Sequence, residues 1–135
     1  ATTLSGNVHE AWNYKGYVFE EIGKHQEALD AYDKAIQIKP DFVIAFNNKG
    51  LLQDTMGNHL EAIETYNNAL TIKPDLDIAW FNKACAEALL SNKEGALSSL
   101  KKAIELNQSF KRIARTNPDF SKIKDDPDFI NVVGN

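Results

Sequence analysis

Trp12-Asn13-Tyr14-Lys15-Gly16-Tyr17-Val18-Phe19 is the stretch from which the rest of the chain is read. Moved on by 34 residues it becomes Phe46-Asn47-Asn48-Lys49-Gly50-Leu51-Leu52-Gln53, and after 34 more it becomes Trp80-Phe81-Asn82-Lys83-Ala84-Cys85-Ala86-Glu87. A period of this length marks one supersecondary unit stacked on copies of itself, with each copy burying its apolar face on the next. Asn7, Asp41, Asp75 and Ser109 recur at the same interval. All four are N-cap types, whose side-chain oxygen takes an orphan amide of a first helical turn, so each is expected to open a helix.

Outward from that stretch, Val8, Ala11, Trp12, Phe19 and Ile22 keep helical spacing up to Gly23, a residue suited to the left-handed turn that ends a helix. A second helix carries Ala28, Leu29, Ala31, Tyr32, Ala35, Ile36 and Ile38 until Pro40 stops it. The next unit repeats this with Gly57 and Pro74 as breakers. The third departs from it: Ser91-Asn92 replaces the glycine turn, Gly95 enters a helix start, and Gln108 stands for the proline, so its ends are expected to be looser. The caps and breakers predict helices near 8–22, 25–39, 42–56, 59–73, 76–90 and 93–107 and an all-α chain.

These residues resemble the tetratricopeptide repeat (TPR), a 34-residue pattern of a large residue, Leu-Gly, an aromatic, then Ala, Phe, Ala and Pro. Residues 9–42 supply Trp12, Gly16, Phe19, Ala28, Tyr32, Ala35 and Pro40, and residues 43–76 supply Phe46, Gly50, Ala62, Tyr66, Ala69 and Pro74. Residues 77–110 keep Trp80, Ala84, Ala96 and Ala103 but place Leu100 at the aromatic position. The resemblance implies an α-solenoid of three helix-turn-helix repeats in a right-handed superhelix. Lys15, Lys49 and Lys83 depart from it where the family usually has leucine, and are read as snorkelling residues whose stems cover the core edge.

Residues 1–8 are read as a lead-in, with Ala1–Gly6 loose, and the lack of an initiator Met implies a chain processed or cut from something longer. Residues 111–135 close the array. Phe110, Ile113 and Ala114 are placed over repeat three, and Asn117-Pro118 and Asp126-Pro127 each set a cap residue before a proline at the first helical position. Phe120, Ile123, Phe129 and Val132 then provide one anchor per turn, and Lys111, Arg112, Arg115, Lys122 and Lys124 the polar outer face that a terminal unit needs.

With 135 residues, 43% hydrophobic and 25% charged, the chain can bury a core as one globular domain. Its net charge of −4 leaves no basic stripe for a nucleic acid to follow. No apolar run reaches membrane-spanning length. One cysteine excludes an internal disulfide, which accords with a reducing, cytoplasmic setting, and three scattered histidines give no metal spacing. His25 and His59, one repeat apart, are read as surface residues at helix starts, and Cys85 as a small packing residue. No glycine loop for phosphates and no acid–base pair with reason to meet is present, so neither enzymatic activity nor a cofactor is expected.

Rotating each first helix by 100° per residue turns one set of positions away from the core, toward the inner wall of the solenoid. They are Glu10, Asn13, Tyr14, Tyr17 and Glu21, then Ile44, Asn47, Asn48, Leu51 and Thr55, then Ile78, Phe81, Asn82, Cys85 and Leu89. Such a wall reads as a binding groove, acidic and aromatic at one end and apolar at the other. In the family, groove asparagines resemble a ladder gripping a peptide main chain. Members that clamp an acidic chaperone C-terminus carry basic residues instead: Asn48 matches one clamp position, but Asn13, Tyr17, Ile78 and Asn82 stand where Lys, Asn, Lys and Arg would be. The expected function is therefore a protein–protein scaffold holding an amphipathic, neutral to basic segment of a partner. The alternative is a homo-oligomer in which Ile44, Leu51, Ile78, Phe81 and Leu89 receive another copy.

Overall fold

The computed structural model describes residues 7–134, so the expected lead-in Ala1–Gly6 lies outside the described residues. Three helical hairpins follow one another: α1 (Val8–Glu21) with α2 (His25–Ile38), α3 (Val43–Thr55) with α4 (His59–Ile72), and α5 (Asp77–Leu89) with α6 (Lys93–Leu106). A tail of α7 (Phe110–Thr116), a 3-10 turn (Pro118–Phe120) and α8 (Pro127–Val133) completes a solenoid, and no strand occurs among the described residues. Every repeat helix begins and ends close to its expected bounds because the breakers act locally. Gly23 and Gly57 take φ of 82° and 84° between the helices of the first two hairpins. Ser91 adopts the same left-handed geometry in the third, at φ 63°. The third turn is therefore kept without its glycine, at a steric cost that only glycine avoids.

Within each hairpin the helices meet at a small residue. Gly16 lies under the Tyr32 ring and Gly50 under the Tyr66 ring, so closely that a Cβ would stand 2.6 Å and 2.4 Å from ring carbons. Both tyrosines are fully buried, and each hydroxyl donates to a carboxylate twelve residues earlier: Tyr32 to Glu20 at 2.8 Å, Tyr66 to Asp54 at 2.7 Å. Burial, reinforced by the adjacent carboxylate, pushes both phenols well above their ordinary range. In repeat three Leu100 replaces the tyrosine, and Ala88 stands where the carboxylate would be. One change accompanies the other, so no buried charge is orphaned. A second polar clasp lies beside the first: Thr65 Oγ1 donates to Gln53 Oε1, and Ser99 Oγ to Glu87, both at 2.6 Å and buried.

Three sequence expectations need correction. Asp41 and Asp75 do not cap α3 and α5, since the flanking positions are Phe42 and Leu76. Each aspartate instead sits in a turn after its proline and pairs with the preceding lysine, Lys39 at 3.3 Å and Lys73 at 3.2 Å. Asn7 and Ser109 occupy cap positions without a side-chain cap bond, and the Ser109 hydroxyl donates to Asn107 Oδ1 instead. Gly95, read from sequence as loosening the start of α6, makes room there: a Cβ would stand 2.5 Å from both Asn92 and Glu87. Asn92 Oδ1 in turn accepts from the Gly95 amide at 3.1 Å, so the start of α6 is capped rather than loose.

Candidate functional site

The first helices of neighbouring repeats touch along the inner wall, where asparagines join them. Asn48 Nδ2 donates to Asn13 Oδ1 at 3.1 Å, and Asn82 Nδ2 donates to Asn47 Oδ1 at 3.0 Å. The spacing of 35 residues pairs position six of one repeat with position five of the repeat before it. Half of each carboxamide is thereby committed to repeat stacking, and the other half keeps its capacity. Sequence periodicity showed the aligned asparagines but not that they bond each other, because a 34-residue repeat does not itself pair residues 35 apart.

Around this ladder the wall exposes Tyr14, Tyr17, Ile44, Leu51 and Ile78. Tyr14 is 69% and Ile44 55% exposed, and the Tyr14 and Tyr17 rings lie 6.4 Å apart. Asn13, Asn47, Asn48 and Leu89 are half-buried. Phe81, Asn82 and Cys85 are buried, which corrects the expectation that the third repeat offers an open apolar end. The chain's own tail covers it. The Phe81 ring stacks on Phe110 at 4.6 Å between centroids and meets Phe120 edge-on at 6.0 Å. Phe120 packs on Phe129 at 5.5 Å, and Phe120, Phe129 and Val133 are almost completely buried. Val133 joins Phe129 as a buried anchor of the last helix, while Val132 packs on the core only partly buried.

The tail is held by its ends. Asn117 Oδ1 and Asp126 Oδ1 accept from the amides of Asp119 and Asp128 at 2.8 Å, with proline opening each turn as expected. Lys93 pairs with Asp126 at 2.8 Å and Asp128 at 3.1 Å, which holds the Asp126 carboxyl below its usual range. Arg115, read from sequence as outer-face polarity, reaches the end of α8 and donates to the Val133 carbonyl at 2.8 Å. There it supplies the positive charge that a helix C-terminus favours.

Where the open wall meets the tail lies a cavity of about 370 Å³, reached by Leu51, Asp54, His59, Leu89, Asn117 and Asp119 and by the edges of Phe81, Asn82 and Cys85. His59 is not the bare surface residue expected: it is half-buried, with Nδ1 2.8 Å from Asp54 Oδ1. Burial and the nearby Asp54 charge raise the Asp119 carboxyl above its ordinary value. Burial likewise pushes the Cys85 thiol up, which leaves it an inert packing group with Asn117 Nδ2 3.8 Å from its sulfur. No lysine or arginine lines this cavity, and no His/Cys/Asp/Glu group that could hold a metal occurs among the described residues. The recurrent lysines lie on the opposite side of the first helices. Lys15 stands 4.7 Å from the Trp12 ring centroid and Lys83 5.1 Å from that of Trp80, while Lys49 pairs with Asp33 at 2.7 Å.

Comparison with known proteins accords with this architecture. Tetratricopeptide-repeat family models match residues 9–42, 43–76 and 78–110. Among solved structures, a crystal structure of MamA superposes with a TM-score of 0.72 at 29% identity, covering 78% of this chain and 62% of that one. A second MamA crystal structure gives 0.70 at 29%, covering 82% and 60%. The chain thus spans about three fifths of the MamA chains that it matches. The first TPR of Spaghetti (RPAP3), bound to the HSP90 peptide SRMEEVD, gives 0.74 at 18% identity, covering 88% and 89%, a likeness of fold alone. A search of curated proteins finds no match. With family models matching most of its length in three consecutive hairpins, the chain belongs to the tetratricopeptide-repeat family.

Proposed function

We propose that the inner wall of repeats one and two, together with Ile78 at the start of repeat three and bounded by the tail, holds a segment of a partner protein. The observation that carries this is the row Tyr14, Tyr17, Ile44, Leu51 and Ile78, large apolar side chains left open on one wall beside the half-used asparagine ladder. Large apolar residues gathered on a concave surface favour association, because covering each releases water from its surface. The remaining carboxamide groups of Asn13 and Asn48 supply a donor and an acceptor for a main chain. The reading is of a non-catalytic module in a cytoplasmic setting, with Asn47, Phe81, Asn82, Cys85 and Leu89 supporting the wall and cavity floor.

The wall's charges select the partner. Asp54 and Asp119 line the cavity, and Glu10 and Glu21 are exposed on α1 at positions that helical rotation turns toward the groove, so an amphipathic, neutral to basic segment would meet complementary charge. A peptide that ends in acidic residues, like the SRMEEVD held by the Spaghetti repeat domain, would meet like charge here. The homo-oligomer alternative loses one of its receiving residues, since Phe81 is already covered by the chain's own tail. The test is selection from a random-peptide display library against the immobilised chain, with a Tyr17→Ala/Leu51→Ala chain as counter-target. Expected hits pair apolar residues with neutral or basic ones and are lost on the double variant. Hits with acidic C-termini, or hits indifferent to the variant, would overturn the reading.

A further inference from the structure

The internal repeats show what a neighbour does to each hairpin, and the first hairpin lacks one such neighbour among the described residues. Ala45 and Leu52 of repeat two are 0% exposed, as are Ala79 and Ala86 of repeat three. Leu52 is covered by Ala28 and Tyr32 of repeat one, and Ala86 by Ala62 and Tyr66 of repeat two. The equivalent residues of repeat one are Ala11 and Val18, both exposed, with Val18 at 41%. Ile22, one turn further on, is 61% exposed, although its equivalent Leu90 also keeps 40% and so discriminates less. The lysines discriminate less. Lys49 reaches back to Asp33 of the preceding hairpin, but Lys83, whose counterpart there is Asn67, rests over the Trp80 ring much as Lys15 rests over those of Trp12 and Phe19.

We infer that this face of α1, formed by Ala11, Lys15, Val18 and Ile22, is a stacking surface for a further helical hairpin of the same kind. Its second helix would carry alanine, tyrosine and aspartate at the spacing of Ala28, Tyr32 and Asp33. This face continues two interfaces already built in the molecule, whether or not the inner wall binds a partner. A second copy of this chain is the wrong occupant, because its matching faces are taken: that of repeat one by Leu52, that of repeat two by Ala86, and Ala96 and Leu100 by the tail phenylalanines. The inner-wall ladder does not extend to the new interface, since Tyr14 stands where Asn48 and Asn82 donate backward.

The test places a hairpin with the sequence of residues 9–42 directly before His9, in 34-residue phase, and compares melting of the 135-residue and extended chains. Val18→Ser should shift the melting temperature by less than about 1 °C in the 135-residue chain but lower it by about 4 °C or more in the extended one. Lys15→Ala should act in the same sense only while the added hairpin keeps its aspartate. Equal effects of Val18→Ser in both chains, or an added hairpin that melts separately, would overturn the inference. So would sedimentation showing that the 135-residue chain dimerises and that Val18→Asp returns it to monomer, because the occupant would then be a second copy.

Discussion

Gly50→Ala is the sharpest probe of how the hairpins close. A Cβ there would stand 2.4, 2.8 and 2.9 Å from three carbons of the Tyr66 ring. Ordinary carbon contacts begin near 3.5 Å, so the ring or the helix must give way by roughly an ångström. The ring has nowhere to go: it is fully buried, and its hydroxyl is tied to Asp54 at 2.7 Å. Overpacking costs about 1–3 kcal/mol, and loss of the hydroxyl bond would add about 0.5–1.5 kcal/mol, more if Asp54 keeps a desolvated oxygen. Alanine returns about 0.8–1.0 kcal/mol in helix propensity. The net expectation is a loss of about 1–3 kcal/mol, read by denaturant unfolding and equivalent to roughly 4–10 °C in melting temperature. In a Tyr66→Leu background, which removes the ring, the same substitution should become neutral or stabilising. A stabilising Gly50→Ala in the wild-type chain would refute the close-approach argument.

Other expectations follow from the same contacts. Phe120→Ala should cost about 3–5 kcal/mol, because the ring is almost completely buried between Phe81 and Phe129, and Trp80 fluorescence would follow the unfolding. Deleting residues 109–135 should uncover Phe81 and Leu100 and lower both the melting temperature and the solubility, measured by calorimetry and light scattering; an unchanged, monodisperse product would refute the capping role. On acidification, the Lys93–Asp126 pair contributes stability that is whole above the ordinary aspartate value of about 3.9 and is lost as pH falls through the lower native value of Asp126. Amide exchange in α8 should therefore quicken at acid pH before that of α3, and Asp126→Asn should remove the difference. The reverse order would contradict the assignment.

The helices were legible from sequence because their punctuation is local: Gly23, Gly57, Pro40, Pro74 and the Asn-Pro and Asp-Pro pairs act on their own backbone. The inner wall was legible only in part. Rotation at 100° per residue assigns a direction to Phe81 and Cys85 but cannot say what arrives from thirty residues downstream to cover them. The tail phenylalanines signalled capping, and only their packing showed that they cover Phe81. The carboxylate–tyrosine clasps were also present in the sequence, as Glu20 with Tyr32 and Asp54 with Tyr66, twelve residues apart in two repeats and jointly replaced by Ala88 with Leu100 in the third. Reading positions in pairs rather than singly would have found them. His59 was misread for the same reason, since its partner Asp54 belongs to the preceding helix.

The central claim is that the open wall of repeats one and two binds a partner segment mainly through apolar contacts. Calorimetric titration of a display-selected peptide into the chain and into Tyr17→Ala/Leu51→Ala, each at two salt concentrations, tests it most directly. Burial of apolar anchors contributes about 1.5–3 kcal/mol per side chain against about 0.5–1.5 for each main-chain hydrogen bond, and ordering the peptide offsets much of both. The account predicts a Kd in the micromolar range, a loss of about tenfold or more in the double variant, and only a modest change with salt. Unchanged affinity in the double variant, or binding that collapses as salt rises, would contradict it.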